Sequence, residues 1–261
     1  MFYAMLHGKV ALEGFRFTDV VEPIDDLNRR ALTGELEITA LSAHAWARCA
    51  GRYRILSAGS SIGRGYGPLL VATRPVALAD LEGRTVALPG DLTTAALLAR
   101  MILPRSRFIA RRFDEIPAAV TGGEADAGVL IHEGQLTYAS LGLVKLLDFG
   151  AWWAGETGGL PLPLGLDAVR TDLGEETARA FNRVLKDSIA WGFANPDEAM
   201  AYARGFGRGI AEDVNRTFVR MYVNQDTREL PPDGVAALTE LFRRATAAAL
   251  LETVPPVTIT G

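Results

Sequence analysis

His132 and Glu133 follow directly on a short apolar run, residues 127–131, which a polar glycine turn, Gly122-Gly123-Glu124, precedes. The run is too short for a helix and reads as a buried strand. In open α/β sheets the carboxyl ends of strands face the ligand crevice. A histidine there titrates close enough to neutral pH to act as a base, although a histidine that merely closes a strand is the blander reading. A second candidate is Thr93-Thr94-Ala95, which opens a helix after a strand at 84–88 and the Pro89-Gly90 turn, with Asp91 or Thr93 as its cap. Free N–H groups, hydroxyls and the positive end of the helix dipole converge there, as at an anion site. An ordinary capped helix explains the same residues. A third candidate, Ser42, stands at the end of a strand at 37–41. The run Gly63-Arg64-Gly65-Tyr66-Gly67-Pro68 lacks the spacing of a nucleotide loop and leads into a strand, 69–73, rather than a helix, so dinucleotide and P-loop readings are rejected. Its glycines suit a sharp turn or a close approach of backbone to a ligand.

The elements that must carry these residues alternate along the chain. After a short helix at 1–6, ended by Gly8, residues 15–21 partly alternate apolar and polar side chains, as a strand does. A helix at 25–32, the strand at 37–41 and a helix at 43–50 follow. Residues 75–82 read as a linker. Strands at 84–88, 107–112, 127–131 and 143–149 come next, with helices opening at 93 and 113. Residues 150–165, dominated by glycine and proline, read as a second linker, whose Trp152 and Trp153 either line a cleft or anchor packing. The remainder reads as helical: Asp172 with Glu175 resembles a capping box, and Asn195-Pro196 closes one helix and starts another. Two linkers imply that the chain leaves a first lobe and returns to it. Residues 1–76 and 161–261 then form one lobe and 77–160 the other. The order is α/β, two-lobed, with two crossovers and an interlobe cleft of the kind that closes by hinge motion.

Composition narrows the function. With 49% apolar and 22% charged residues in 261, the chain has an ordinary globular balance and enough material for a core. A net charge of −4 supplies no basic footprint for nucleic acid. The single cysteine, Cys49, excludes an internal disulfide and a zinc cluster, and beside Ala47 and Ala50 it reads as a buried thiol. No apolar run reaches the roughly 18 residues that cross a membrane, and the first residues do not form a signal peptide. The expectation is a cytoplasmic protein acting on a small molecule, without nucleic acid or membrane as partner. The oligomeric state is left open.

The chain resembles the 1,4-dihydroxy-6-naphthoate synthases of the futalosine route to menaquinone, whose fold is that of type II periplasmic binding proteins. The resemblance rests on Thr39-Ala40-Leu41-Ser42, the run from Gly63 to Pro68, Pro89-Gly90 with Thr93-Thr94-Ala95, and Ile131-His132-Glu133 with Thr137-Tyr138. It extends to Leu147-Asp148-Phe149-Gly150-Ala151-Trp152-Trp153, to Leu160-Pro161-Leu162-Pro163-Leu164-Gly165 and to Tyr222-Val223-Asn224. It implies a carbon–carbon lyase that splits cyclic dehypoxanthinyl futalosine into 1,4-dihydroxy-6-naphthoate and dihydroxyacetone. The family's proton acceptor falls on His132, and its substrate contacts fall on Ala40, Leu41 and Ser42 and on Thr94 and Ala95. No metal or organic cofactor is implied. His44 stands where the family has an aromatic residue, and Ala40 where lysine is common, which favours backbone contacts at that strand end. The family also opens with a strand and a Ser-Pro-Cys-Pro-Asn-Asp-Thr-Phe-like motif. Met1-Phe2-Tyr3-Ala4 matches only the family residues after that motif, so the chain is expected to be short by that strand. Two other readings share the fold: the sister chorismate dehydratase, against which Ile131-His132-Glu133 argues, and a solute-binding protein.

Overall fold

A computed structural model of the chain describes residues 1–206 and 212–261. Along the chain come α1 (Tyr3–Leu6), α2 (Ile24–Thr33), β1 (Ile38–Ser42), α3 (Ala43–Arg48), β2 (Tyr53–Leu56), β3 (Ser61–Gly63) and β4 (Leu69–Ala72). The middle holds β5 (Thr85–Leu88), α4 (Thr94–Ile102), β6 (Arg107–Ala110), α5 (Ile116–Thr121), β7 (Ala127–Leu130), α6 (Gly134–Thr137), β8 (Val144–Asp148) and α7 (Phe149–Thr157). Then follow β9 (Leu162–Arg170), α8 (Glu175–Ala194), α9 (Pro196–Arg204), α10 (Glu212–Tyr222), α11 (Gln225–Arg228), α12 (Pro232–Ala247) and β10 (Ile259–Thr260).

The strands form two sheets, one per lobe. The first runs β1-β9-β2-β10, with β3 also on β9; the second runs β6-β5-β7-β4-β8. The second sheet is built on parallel pairs of β5 with β6 and β7, and antiparallel β4 joins β7 to β8. Strand β4, placed in the first lobe by the linker expected at 75–82, thus belongs to the second sheet, because both of its edges are paired there. On β1 and β9 the register sets Leu41 opposite Leu166 and Thr39 opposite Ala168. Leu41, Leu166 and Ala168 all lie in the main core, with Trp46 and Phe242. The other face of the first sheet is covered by α8, whose Phe181, Val184 and Leu185 pack with Leu56 and Val169.

Three stretches differ from the pattern read off the sequence. Residues 15–21 are not a strand. Phe15 and Phe17 stack on each other at 5.8 Å and turn their faces or edges to Phe181, so the apolar positions are spent on a helix rather than in a ladder. Residues 150–165 are not a linker but α7 followed by the start of β9. The Asp148 carboxylate accepts from the N–H groups of Gly150 and Ala151 at 2.9 and 3.2 Å and starts the helix. Trp153, fully buried, donates its indole N–H to the Pro161 carbonyl at 2.9 Å and so closes it onto the next strand. The capping box at Asp172 does not form either: the carboxylate pairs with Arg170 instead, and α8 begins after Gly174 without a side-chain cap.

The glycine run at 63–68 is explained by backbone approaching backbone. A Cβ on Gly150 would lie 2.1 Å from the Tyr66 carbonyl atoms, and one on Gly67 would lie 2.6 Å from the Gly150 nitrogen. Arg64 points away, to Asp226 at 2.6 Å and Asp233 at 2.8 Å.

Candidate active site

His132 is delivered by β7, whose four residues are all buried. Gly128 lets α5 lie directly on the strand, since a Cβ there would meet Ile116 at 2.5 Å and Val120 at 2.8 Å. The chain leaves the strand at Ile131 and turns at His132, which adopts φ +54°. A side chain in this left-handed region costs of order 1–3 kcal/mol and persists only where its surroundings hold it. Those surroundings are specific. The imidazole stands edge-on to Phe113 (4.8 Å between centroids) and to Phe218 of α10 (6.1 Å). The His132 carbonyl accepts from the backbone N–H of Gln135 at 3.2 Å. The Gln135 amide is satisfied in one orientation, with Oε1 accepting from His132 N–H (3.3 Å) and Tyr222 O–H (2.5 Å) and Nε2 donating to the Gly67 carbonyl (2.7 Å). Tyr222 packs on Phe218 at 4.6 Å, and burial raises its phenol far above the ordinary range. Glu133, the neighbour expected to orient the ring, heads α6, where its carbonyl accepts from the Thr137 hydroxyl at 3.2 Å.

The other candidates meet at a second point. Ser42 closes β1. Its N–H donates to Asn28 Oδ1 at 2.9 Å and its hydroxyl accepts from Asn28 Nδ2 at 3.0 Å, so α2 fixes the strand end. Leu41 is fully buried in the core and Ala40 carries only a methyl, which leaves the backbone as the polar surface there. Thr93 caps α4: its hydroxyl accepts from Ala96 N–H at 3.1 Å and donates to the Gly90 carbonyl at 2.9 Å. Thr94 bridges the lobes. Its hydroxyl donates to the Leu164 carbonyl of β9 at 2.8 Å and accepts from His44 N–H at 3.4 Å. The proton of Thr94 is therefore committed to protein, and what the start of α4 offers an anion is the N–H groups of its first turn.

His44 completes this junction. Nδ1–H donates to the Thr93 carbonyl at 3.3 Å, and Nε2 accepts from Arg48 at 3.0 Å, which defines a neutral tautomer. Burial, and next the charge of Arg48, pull its pKa down to about 4. Cys49, one helical turn on, is inert: it donates to the Ala45 carbonyl and burial lifts its thiol to about 11.

A cavity of about 360 Å³ lies between the lobes. Residues 23–26 and Arg29 wall it on one side, and Pro89, Gly90, residues 110–113 and Glu115 on the other. Two of its wall residues touch the candidates, Gly90 through its bond to Thr93 and Phe113 through its contact with His132, while none of the candidates themselves lines it. Asp25 is part of its wall. Its carboxylate lies against Gly90, whose φ of +95° and missing Cβ make room, and burial raises its pKa. A larger hollow, about 650 Å³ beside Arg48, Arg52 and Arg170, likewise contains none of the candidates. Gln135, Phe113 and Asn28 were not singled out by the sequence, because isolated residues of these types carry no spacing signal. Among the described residues no group of three or more His, Cys, Asp or Glu side chains could hold a metal ion, and no helix is long and apolar enough to cross a membrane.

The geometry can be set beside known proteins. A family model described as menaquinone biosynthesis matches residues 1–247. A curated 1,4-dihydroxy-6-naphthoate synthase from Thermus thermophilus is 40% identical over 96% of this chain and 90% of its own length. A crystal structure of a protein from Archaeoglobus fulgidus superposes with a TM-score of 0.91 at 45% identity, covering 96% of this chain and 93% of that one. The fold is that of periplasmic solute-binding proteins: an alkanesulfonate-binding protein from Xanthomonas axonopodis pv. citri superposes with a TM-score of 0.66 at 14% identity, covering 90% of this chain and 83% of that one.

Proposed function

The chain belongs to the menaquinone biosynthesis family, and from that premise we propose that it is a carbon–carbon lyase. In this reading it splits cyclic dehypoxanthinyl futalosine into 1,4-dihydroxy-6-naphthoate and dihydroxyacetone, with His132 as general base. The departing piece is a small polyol ketone and the retained piece becomes aromatic. Aromatisation drives the cleavage, so the protein needs a base and well-placed hydrogen bonds. The observation that carries the reading is the placement of His132 at the end of β7. There the imidazole is walled by Phe113 and Phe218, and Phe113 also lines a cavity between the lobes. The first-turn amides at Thr94 and Ala95 suit a carboxylate of the substrate, and the backbone from Ala40 to Ser42 supplies further contacts from the facing lobe. We place the lobe boundary at the division between the two sheets and the site in the cleft between them, in the cytoplasm and without metal or organic cofactor.

The test is product formation. Incubation with the cyclic substrate should release the naphthoate and dihydroxyacetone in equal amounts. Binding without conversion would favour a solute-binding protein of the same fold, and conversion of chorismate instead would favour the sister dehydratase.

A further inference from the structure

We infer that Gln135 is the positioning residue for His132, and that through Tyr222 it couples the base to the helix that walls it. The inference rests on the reading of His132 as the base. Gln135 is 7% exposed and holds both ends of the His132 residue: its backbone N–H meets the carbonyl and its side-chain oxygen meets the N–H. Such a two-point grip is what a left-handed, non-glycine backbone needs to persist. The remaining bonds of the amide reach outward to two other elements. Nε2 donates to Gly67 at 2.7 Å, and Gly67 is itself wedged against Gly150, so this carbonyl has little room to drift. Oε1 accepts from Tyr222, which sits one turn beyond Phe218 on α10, and Phe218 covers the imidazole.

The set of bonds is one that only an amide completes. It requires a donor toward Gly67 and an acceptor shared by His132 N–H and Tyr222 O–H. A carboxylate would oppose the Gly67 carbonyl, and an apolar side chain would remove its bonds to Gly67, His132 and Tyr222 together. Gln135 does not reach toward the cavity and contacts no reacting atom in this arrangement. Its effect is exerted on where the imidazole stands, and it depends on α10 being docked.

The experiment measures kcat and KM for the cyclic substrate across pH in the wild type, Gln135→Met and Tyr222→Phe, and in each variant combined with His132→Ala. Displacing a catalytic group by an ångström costs up to about a hundredfold, so Gln135→Met should lower kcat by about ten- to a hundredfold with KM nearly unchanged. The acid limb of its pH profile should shift. Tyr222→Phe keeps ring and volume, removes one bond, and should change kcat in the same direction by less. On the His132→Ala background neither change should lower the residual rate further, because there is no base left to misplace. If Gln135→Met does not fold, the Tyr222→Phe pair carries the same comparison. The inference is overturned if Gln135→Met and Tyr222→Phe keep wild-type kcat, or if their losses persist in full without His132. An inactive His132→Ala beside a fully active Gln135→Met leaves the base reading intact and removes only this one. A fully active His132→Ala removes both.

Discussion

A general base works only if its nitrogen is held at the reacting atom, and at His132 that holding is done through backbone as well as ring. Removing the imidazole removes the proton acceptor and little of the core: His132→Ala should lower turnover by roughly 10²–10⁴, the usual worth of a positioned base, with the melting temperature nearly unchanged. Steady-state rates and a thermal melt on one preparation check both halves. Thr94 makes a contrasting prediction. Its hydroxyl satisfies Leu164 O and His44 N–H between the lobes, so Thr94→Val leaves buried groups unpaired and should cost about 1–3 kcal/mol of stability, measured by denaturant titration. Thr94→Ser, which restores the hydroxyl, should recover most of it. The place of His132 just past a strand was legible from the apolar run before it, whereas its role as a base is implied by the family resemblance and not by position. Gln135 was not legible, because its partners Gly67 and Tyr222 are remote in the chain, the latter 87 positions on. A lone glutamine on a four-residue helix has no period to betray it.

The elements show where local pattern stops deciding. Strands β5 and β7 and the helix opened by Thr93 could be read from runs, turns and a cap. Helix α7 could not, because its glycines suggest a loop, and what makes it a helix is the Asp148 cap and the burial of Trp153. Strand β9 was hidden for a similar reason, its proline and glycine masking the central strand on which β1, β2 and β3 all pair. The two glycines of α7 should therefore respond in opposite ways. Gly150→Ala would place a methyl 2.1 Å from rigid Tyr66 backbone and should destabilise by about 3 kcal/mol or more, the upper range for overpacking. A methyl on Gly155 would have nothing within 4 Å, so Gly155→Ala should stabilise by roughly 0.5–1 kcal/mol through helix propensity. Equal effects at both sites, in denaturant melts, would contradict the packing account of the glycine run.

Across the whole molecule, the two lobes share one apolar core, and polar contacts also cross between them, among them one at His44 that titrates. His44 joins α3 to the start of α4 as a neutral ring with its pKa drawn down to about 4 from an ordinary 6.5. The unfolded chain binds the proton first as pH falls below 6.5, so this group's contribution is complete above 6.5 and is lost progressively down to pH 4. At about 1.4 kcal/mol per pH unit, the loss over that window is about 3 kcal/mol. Asp167, fully buried and lifted to about 7, acts in the opposite sense, since its neutral form favours the fold as pH falls. The comparison that isolates His44 is thus the pH dependence of stability in the wild type minus that in His44→Phe, which should lack the acid-side decline; parallel curves would contradict the assignment. The two-lobe plan was legible from alternating strands and helices, whereas the contacts that close it, Asp25 on Gly90 and Thr94 on Leu164, join residues that no local pattern relates. The central claim is that this cleft cleaves rather than merely binds. The direct test is to give the wild type and His132→Ala the cyclic substrate and quantify naphthoate and dihydroxyacetone together. The account predicts equimolar products from the wild type and almost none from a folded, substrate-binding His132→Ala. Substrate bound by the wild type without either product, or products formed equally well by both proteins, would contradict it.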